Sequence, residues 1–243
     1  RETIIHREGA FAIRIIQNRR ALHQIPELDR QLPLTIAYLT GELEGLGCTL
    51  FSPIDGSLCA WFDFGAQKAI AFRADMDALP IDEKTGAAYA SRHPGAMHAC
   101  GHDGHMAILL ELARRLSKRK RLQQNILLLF QPAEEATGGA KPICDTGVFA
   151  EYGVEAIFGL HLWPGLEKGR IFSRPGEMMS RSAELDVDIF GRSAHIGRSW
   201  EGIDATEAAC VFLQRAYELD RSVPDNIRRL LKFGKLESGT VRN

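Results

Sequence analysis

The sequence predicts an α/β fold, a mostly parallel sheet flanked by helices, followed by a smaller α+β domain. Three short apolar runs read as buried strands, each leading into ionisable residues: Ala69-Ile70-Ala71-Phe72, Ile126-Leu127-Leu128-Leu129-Phe130 and Ala156-Ile157-Phe158-Gly159-Leu160. Before and between them lie stretches with apolar residues at helical spacing. Past Pro175 the pattern shifts to alternating apolar and polar residues, which separates residues 1–179 from a second domain at 180–243.

The elements follow in order. Residues 4–24 carry Phe11, Ile15, Ile16 and Leu22 at helical spacing, and Pro26 ends the segment. Residues 34–46 make a second helix, stopped at Gly47. The run at 69–72 delivers Arg73, Asp75 and Asp77 at its carboxyl end. Residues 104–116 form an amphipathic helix whose C-terminal charges, from Arg114 to Arg121, complement the helix dipole and read as a solvated face rather than a nucleic-acid contact. The strand at 126–130 ends at Gln131-Pro132-Ala133-Glu134-Glu135, and the strand at 156–160 delivers His161. In the second domain, Leu185-Asp186-Val187-Asp188-Ile189-Phe190 alternates like a strand with one exposed face. Residues 203–219 then read as a helix and 230–233 as another strand.

The chemistry starts at Met97-His98-Ala99-Cys100-Gly101-His102-Asp103-Gly104-His105, one thiol and three imidazoles in nine residues. Gly101 lets the backbone bend so that Cys100 and His102 can face one centre. His98 and His105 read as core or helix-capping histidines. A thiolate with imidazole suits zinc best, with manganese, cobalt or nickel also accommodated. Ligands in open α/β sheets sit beyond the carboxyl ends of the strands, so Asp75, Asp77, Glu134, Glu135 and His161 are expected around the same site. Neighbouring Glu134 and Glu135 leave the backbone in different directions. One can bind a metal while the other takes the proton of a water acidified there. Cys100 has no second cysteine within three positions, so a dithiol redox role is poorly supported.

Six segments occur in the order found in the M20 peptidase family: Arg20-Ala21-Leu22-His23-Gln24-Ile25-Pro26-Glu27-Leu28, Arg73-Ala74-Asp75-Met76-Asp77-Ala78-Leu79-Pro80, the Cys100 cluster, Phe130-Gln131-Pro132-Ala133-Glu134-Glu135, Gly159-Leu160-His161-Leu162-Trp163-Pro164 and Gly191-Arg192-Ser193-Ala194-His195. The chain most resembles the amidohydrolase branch, which includes hippurate hydrolases, auxin-conjugate hydrolases and N-acyl amino acid deacetylases. The resemblance implies a zinc-peptidase-like catalytic domain holding two divalent metal ions, zinc or manganese first, then cobalt or nickel. It implies that Cys100 bridges the ions, that His102, Glu135 and His161 are ligands, that Glu134 is the general base and that Asp77 orients a ligand. The role of Asp75 stays open. The smaller domain is implied to be an inserted satellite that supports a homodimer and closes over substrate. His195 would reach the substrate carbonyl oxygen, often across the dimer, and Asn243 falls where the family has a substrate-contacting asparagine.

The family draws a further histidine ligand from near the C-terminus of a longer, split catalytic domain, so a sequence running from Arg1 to Asn243 reads as a truncated enzyme. The implied reaction is hydrolysis of the amide bond of an N-acyl amino acid. The alternatives are a dipeptidase or aminopeptidase of the same superfamily, and a non-catalytic metal-binding sensor on the same scaffold.

Composition excludes other classes. A net charge of −1 over 243 residues gives no reason for a polyanion or membrane partner, and no apolar run approaches the roughly 20 residues that span a bilayer. Five scattered cysteines, Cys48, Cys59, Cys100, Cys144 and Cys210, fit a reducing compartment, and a cytoplasmic protein is expected. Gly138-Gly139 reads as a turn beside the site, unlike a phosphate-binding loop.

Overall fold

The three apolar runs lie side by side in one sheet in a computed structural model that describes residues 2–179 and 183–239. Two units are distinguished, Arg1–Arg170 and Ile171–Asn243. The first contains helices α1 (Glu2–His23) and α2 (Pro33–Leu43), strands β1 (Thr49–Phe51), β2 (Leu58–Phe62) and β3 (Ala69–Asp75), helix α3 (His102–Leu116), strand β4 (Asn125–Gln131), short helices α4 (Ala140–Asp145) and α5 (Val148–Glu151), and strand β5 (Val154–Gly159).

The sheet order is β1-β2-β4-β3-β5. β3 runs parallel to both β4 and β5, whereas β1 pairs antiparallel with β2, and β2 antiparallel with β4. The sheet is therefore mixed rather than mostly parallel. The difference lies in the β1–β2 hairpin, two strands whose sequences carry no clear alternation. Its turn is closed by Ser57, whose hydroxyl donates to Ile54 O and accepts from Ile54 N–H. The parallel β3–β4 pair requires a crossover, and α3 supplies it.

β4 is buried along its whole length, as its unbroken apolar run predicts. On one face of the sheet Leu58, Ala60, Leu128 and Phe130 pack with Leu22 of α1, Leu39 and Leu43 of α2, and Met106, Leu109, Leu110 and Ala113 of α3. On the other, Cys59, Ala71, Leu127 and Leu129 pack with Ile143 of α4 and Val148 of α5. Helices α1 and α3 are clamped by Arg14, whose Nε and Nη2 donate to the buried Glu111 carboxylate at 3.1 and 3.0 Å. This two-bonded fork is the stronger form of ion pair.

β5 departs from the expectation of a buried strand. Among the described residues it pairs only with β3, at the sheet edge, and Ile157 and Phe158 are half exposed. An apolar run marks a strand that can be covered on both faces, but says nothing of whether both are covered.

In the second unit, helix α6 (Ala205–Ser222) matches the predicted helix, opening on Asp204, whose carboxylate accepts from Thr206 and Glu207 N–H at 2.9 and 3.0 Å. The strands expected at 185–190 and 230–233 do not form among the described residues. Alternation fixes which side chains share a face, but a strand exists only by bonding to a partner, and these segments have none among the described residues. Leu185 and Phe190 are exposed as a result.

Candidate metal centre

The carboxyl ends of β3 and β4, the segment after β5 and the first turn of α3 meet at one place, as the strand-end rule predicts. Gly101 is left-handed at φ 90° and opens α3 at His102, two residues ahead of the predicted start. His102 is completely buried. Its Nδ1 lies 2.7 Å from the Asp77 carbonyl oxygen, which can only accept, so Nδ1 carries the proton and Nε2 keeps its lone pair. That Nε2 has no hydrogen-bond partner among the described residues, and neither does the buried Glu135 Oε1, 3.7 Å away.

Asp75 Oδ2 stands 3.6 Å and Glu134 Oε2 4.0 Å from the same nitrogen. His161 repeats the arrangement. Its Nδ1 donates to Leu162 O at 2.7 Å, and its Nε2 lies 3.4 Å from Cys100 Sγ. Three overlapping sets of donor atoms result, each within 4.8 Å: Cys100, His102 and His161; Asp75, His102 and His105; His102, Glu134 and Glu135.

The glutamate pair is held by its backbone. Asp77 Oδ1 accepts the Glu134 N–H at 2.8 Å and Oδ2 the Glu135 N–H at 2.9 Å. Asp77 thus orients His102 through its carbonyl and the glutamates through its carboxylate, which stays 4.0 Å from His102 Nδ1. The turn is sharp. Ala133 has a left-handed φ of 55°, a conformation that costs a non-glycine residue about 1–3 kcal/mol and clusters at functional sites. Gly138 and Gly139 N–H both donate to its carbonyl at 3.0 Å, and a Cβ on Gly139 would lie 1.9 Å from Pro132 O. The glycine pair closes the turn tightly.

Negative charge accumulates here. Burial, then the carboxylates of Glu135, Glu134 and Asp75, push the Cys100 thiol up to about 12. Burial, then Glu135 and Asp75, raise Glu134. Burial also works to raise Asp75, but the His105 hydrogen bond and the neighbouring Arg73 guanidinium outweigh it and hold Asp75 at about 2. Unpartnered buried nitrogen and oxygen atoms, a thiol and crowded carboxylates make a donor set that fits divalent cations, and a cation turns such a thiol into a thiolate.

The structure brings together Cys100, His102, Glu134, Glu135, His161 and Asp77. Asp75, expected here without a role, joins them, as does His105, which the sequence marked as a core or capping histidine. His195 lies in the second unit, where its exposed ring accepts the Gly197 N–H at 3.1 Å. Asn243 lies outside the described residues.

Behind the cluster, His23 of α1 lies between two carboxylates, with Nδ1 2.8 Å from Asp103 Oδ2 and Nε2 3.3 Å from Glu83 Oε1. Carboxylates only accept, so both ring nitrogens donate and the ring is an imidazolium. Its pKa is raised, first by the hydrogen bond to Asp103, and those of Asp103 and Glu83 are lowered despite burial. The His23 contribution to stability is complete below its unfolded value of about 6.5 and fades as pH rises through the folded value; that of the carboxylates fades as pH falls below about 4. Neutral His98, held at about 4 by burial, weakens the fold only on the acid side of 6.5. In urea unfolding, chelator-treated protein is expected to lose stability above pH 6.5, and His23→Gln to lose less over that range; parallel slopes would show that His23 between Asp103 and Glu83 does not stabilise the fold.

The sequence pattern of Peptidase family M20/M25/M40 matches residues 71–227. N-acetyldiaminopimelate deacetylase of Listeria monocytogenes is 36% identical over 229 residues, covering 93% of this chain and 62% of that protein. Among solved structures, the Bacillus subtilis YXEP protein, described as a dinuclear metal binding peptidase from the M20 family, is 39% identical with a TM-score of 0.61, over 65% of this chain and 45% of that one. A candidate aminohydrolase from methicillin-resistant Staphylococcus aureus is 31% identical with a TM-score of 0.73, over 92% of this chain and 60% of that one. The chain spans 62% of the length of the Listeria relative.

Proposed function

Because this chain belongs to Peptidase family M20/M25/M40, we propose that it carries the metal centre of an amidohydrolase cleaving the amide bond of an N-acyl amino acid. The observation that carries this reading is the pair of orphaned atoms, His102 Nε2 and Glu135 Oε1, facing each other beside Cys100 and His161. Two divalent ions, zinc or manganese before cobalt or nickel, would be held by Cys100 as the bridge and by His102, Glu135 and His161. Bound there, they would acidify a water and polarise the scissile carbonyl.

The protein's own residues do the rest. Glu134 is the general base: its side chain is 41% exposed against 20% for Glu135, so it reaches substrate and solvent while Glu135 faces inward. It takes the proton of the attacking water and returns it to the leaving amine. Its raised pKa suits both halves of that transfer. Asp77 fixes the peptides of both glutamates, so that their division of labour is built into the backbone. His195 would donate to the developing oxyanion and Asn243 would contact substrate. A homodimer formed through residues 180–243 and a cytoplasmic location complete the proposal; no helix among the described residues is long and apolar enough to cross a membrane.

The Listeria relative makes N-acetyldiaminopimelate the first substrate to try. A panel of N-acetyl amino acids, N-benzoyl amino acids and free-amine dipeptides, offered to metal-loaded protein, tests the reading. N-acyl substrates are expected to be cleaved fastest. Cleavage of free-amine dipeptides alone would make the protein a dipeptidase, and metal uptake without any cleavage would make it a sensor.

A further inference from the structure

The geometry points to His105 as a positioning residue that holds, from α3, the peptide following His161 and so sets where the His161 imidazole stands. The inference rests on the metal centre proposed above.

Both nitrogens of the buried His105 ring are engaged. Nδ1 lies 2.6 Å from Asp75 Oδ1, and Nε2 lies 2.8 Å from the Leu162 nitrogen. The Asp75 carboxylate, also bonded by Arg73 Nη1 at 2.7 Å, can only accept, so His105 Nδ1 is the protonated nitrogen. His105 Nε2 is then free to accept, and it takes the Leu162 N–H. The Leu162 carbonyl in turn accepts the His161 Nδ1–H at 2.7 Å. One peptide residue is thus gripped on its N–H side by His105 and grips the His161 ring on its carbonyl side.

This grip matters because the sheet has ended by then. The β3–β5 register stops with Arg73 opposite Gly159, so His161 and Leu162 lie past the last ladder pair. The floor beneath them is α3. A Cβ on Gly104 would stand 2.5 Å from Leu162 Cδ1, and one on Gly101 3.6 Å, so the two glycines leave room for the Leu162 side chain on the first turn. The His105 and His161 rings meet edge to face with centroids 4.6 Å apart. If the Leu162 peptide turns, His161 Nε2 leaves Cys100 Sγ.

Two substitutions separate the halves of the ring. A Gln side chain at 105 reaches the place of Nε2 and can accept from Leu162; an Asn reaches only the place of Nδ1 and can donate to Asp75. Titration of the full protein with cobalt(II) alone, followed by visible absorption, is paired with hydrogen exchange of the Leu162 amide in the metal-free state. His105→Asn is expected to weaken cobalt binding about 10- to 100-fold, the usual effect of losing a residue that orients a ligand, and to speed Leu162 exchange. His105→Gln is expected to stay near wild type in both. Should His105→Asn fail to fold, His105→Ala carries the same expectation.

Wild-type binding and exchange in the Asn or Ala variant would overturn the inference. So would a Gln variant as impaired as they are, which would make His105 itself a ligand. A wild-type protein that takes up no cobalt overturns the metal centre and this inference together. Cobalt uptake without amide cleavage leaves the inference standing and overturns only the proposed activity.

Discussion

Glu134→Gln is expected to lower turnover by about 10²–10⁴-fold, the range for loss of a general base, while leaving metal uptake intact. Gln keeps the volume of the side chain and the backbone N–H that donates to Asp77, so the turn survives and only the proton acceptor is lost. Glu135, not Glu134, presents the orphaned buried oxygen to His102, which is why metal binding is expected to persist. Steady-state kinetics with an N-acyl amino acid, alongside elemental analysis of the same preparation, reads both quantities. Unchanged turnover would take the base role from Glu134, and loss of metal together with activity would make it a ligand.

Asp77→Ala is expected to damage the fold and the site together. It removes the acceptor of two backbone N–H groups, at 2.8 and 2.9 Å, next to a left-handed alanine. Each donor left buried and unpaired costs about 1–3 kcal/mol. Since the glutamates are aimed through those peptides, metal affinity is expected to fall about 10- to 100-fold as well. Asp77→Asn keeps one carbonyl oxygen as acceptor and is expected to fall between the two. Urea unfolding in chelator gives the stability change, and cobalt titration gives the affinity. An Asp77→Ala protein with an unchanged unfolding midpoint would show that the turn is held by something else.

Much of the site is legible in the sequence because strand ends and a glycine bend concentrate reactive residues in a few short segments. Cys100, His102, Glu134, Glu135 and His161 all follow from that logic, and the structure gathers them. Asp75 follows from it in place but not in role, and His105 in neither, because their meaning depends on which side chain stands across from which, a matter of register between β3 and α3. The hydrogen bond from His105 to Asp75 joins residues 30 apart, and that from Leu162 to His105 joins residues 57 apart; neither has a local signature.

The same limit explains the sheet. The pattern at 126–130 reveals a strand covered on both faces, because β4 lies in the interior with neighbours on either side. The pattern at 156–160 looks alike yet belongs to an edge. The antiparallel β1–β2 hairpin went unread because its strands are short and their burial does not alternate. Helices fared better: α3 ends at Leu116 as expected and starts two residues early, at His102, because Gly101 turns left-handed there, and α2 stops at Leu43 rather than at Leu46, ahead of the left-handed Gly45 and Gly47.

The proposed activity requires that Cys100, His102, Glu135 and His161 hold a pair of divalent cations. Anomalous diffraction at the zinc edge, from crystals of the full-length protein grown with zinc, tests it most directly. Two peaks are expected, each about 2.3 Å from the Cys100 sulfur, and between them about 2.0–2.2 Å from His102 Nε2, a Glu135 carboxylate oxygen and His161 Nε2. Zinc bound away from these side chains, or no zinc at all, would contradict it.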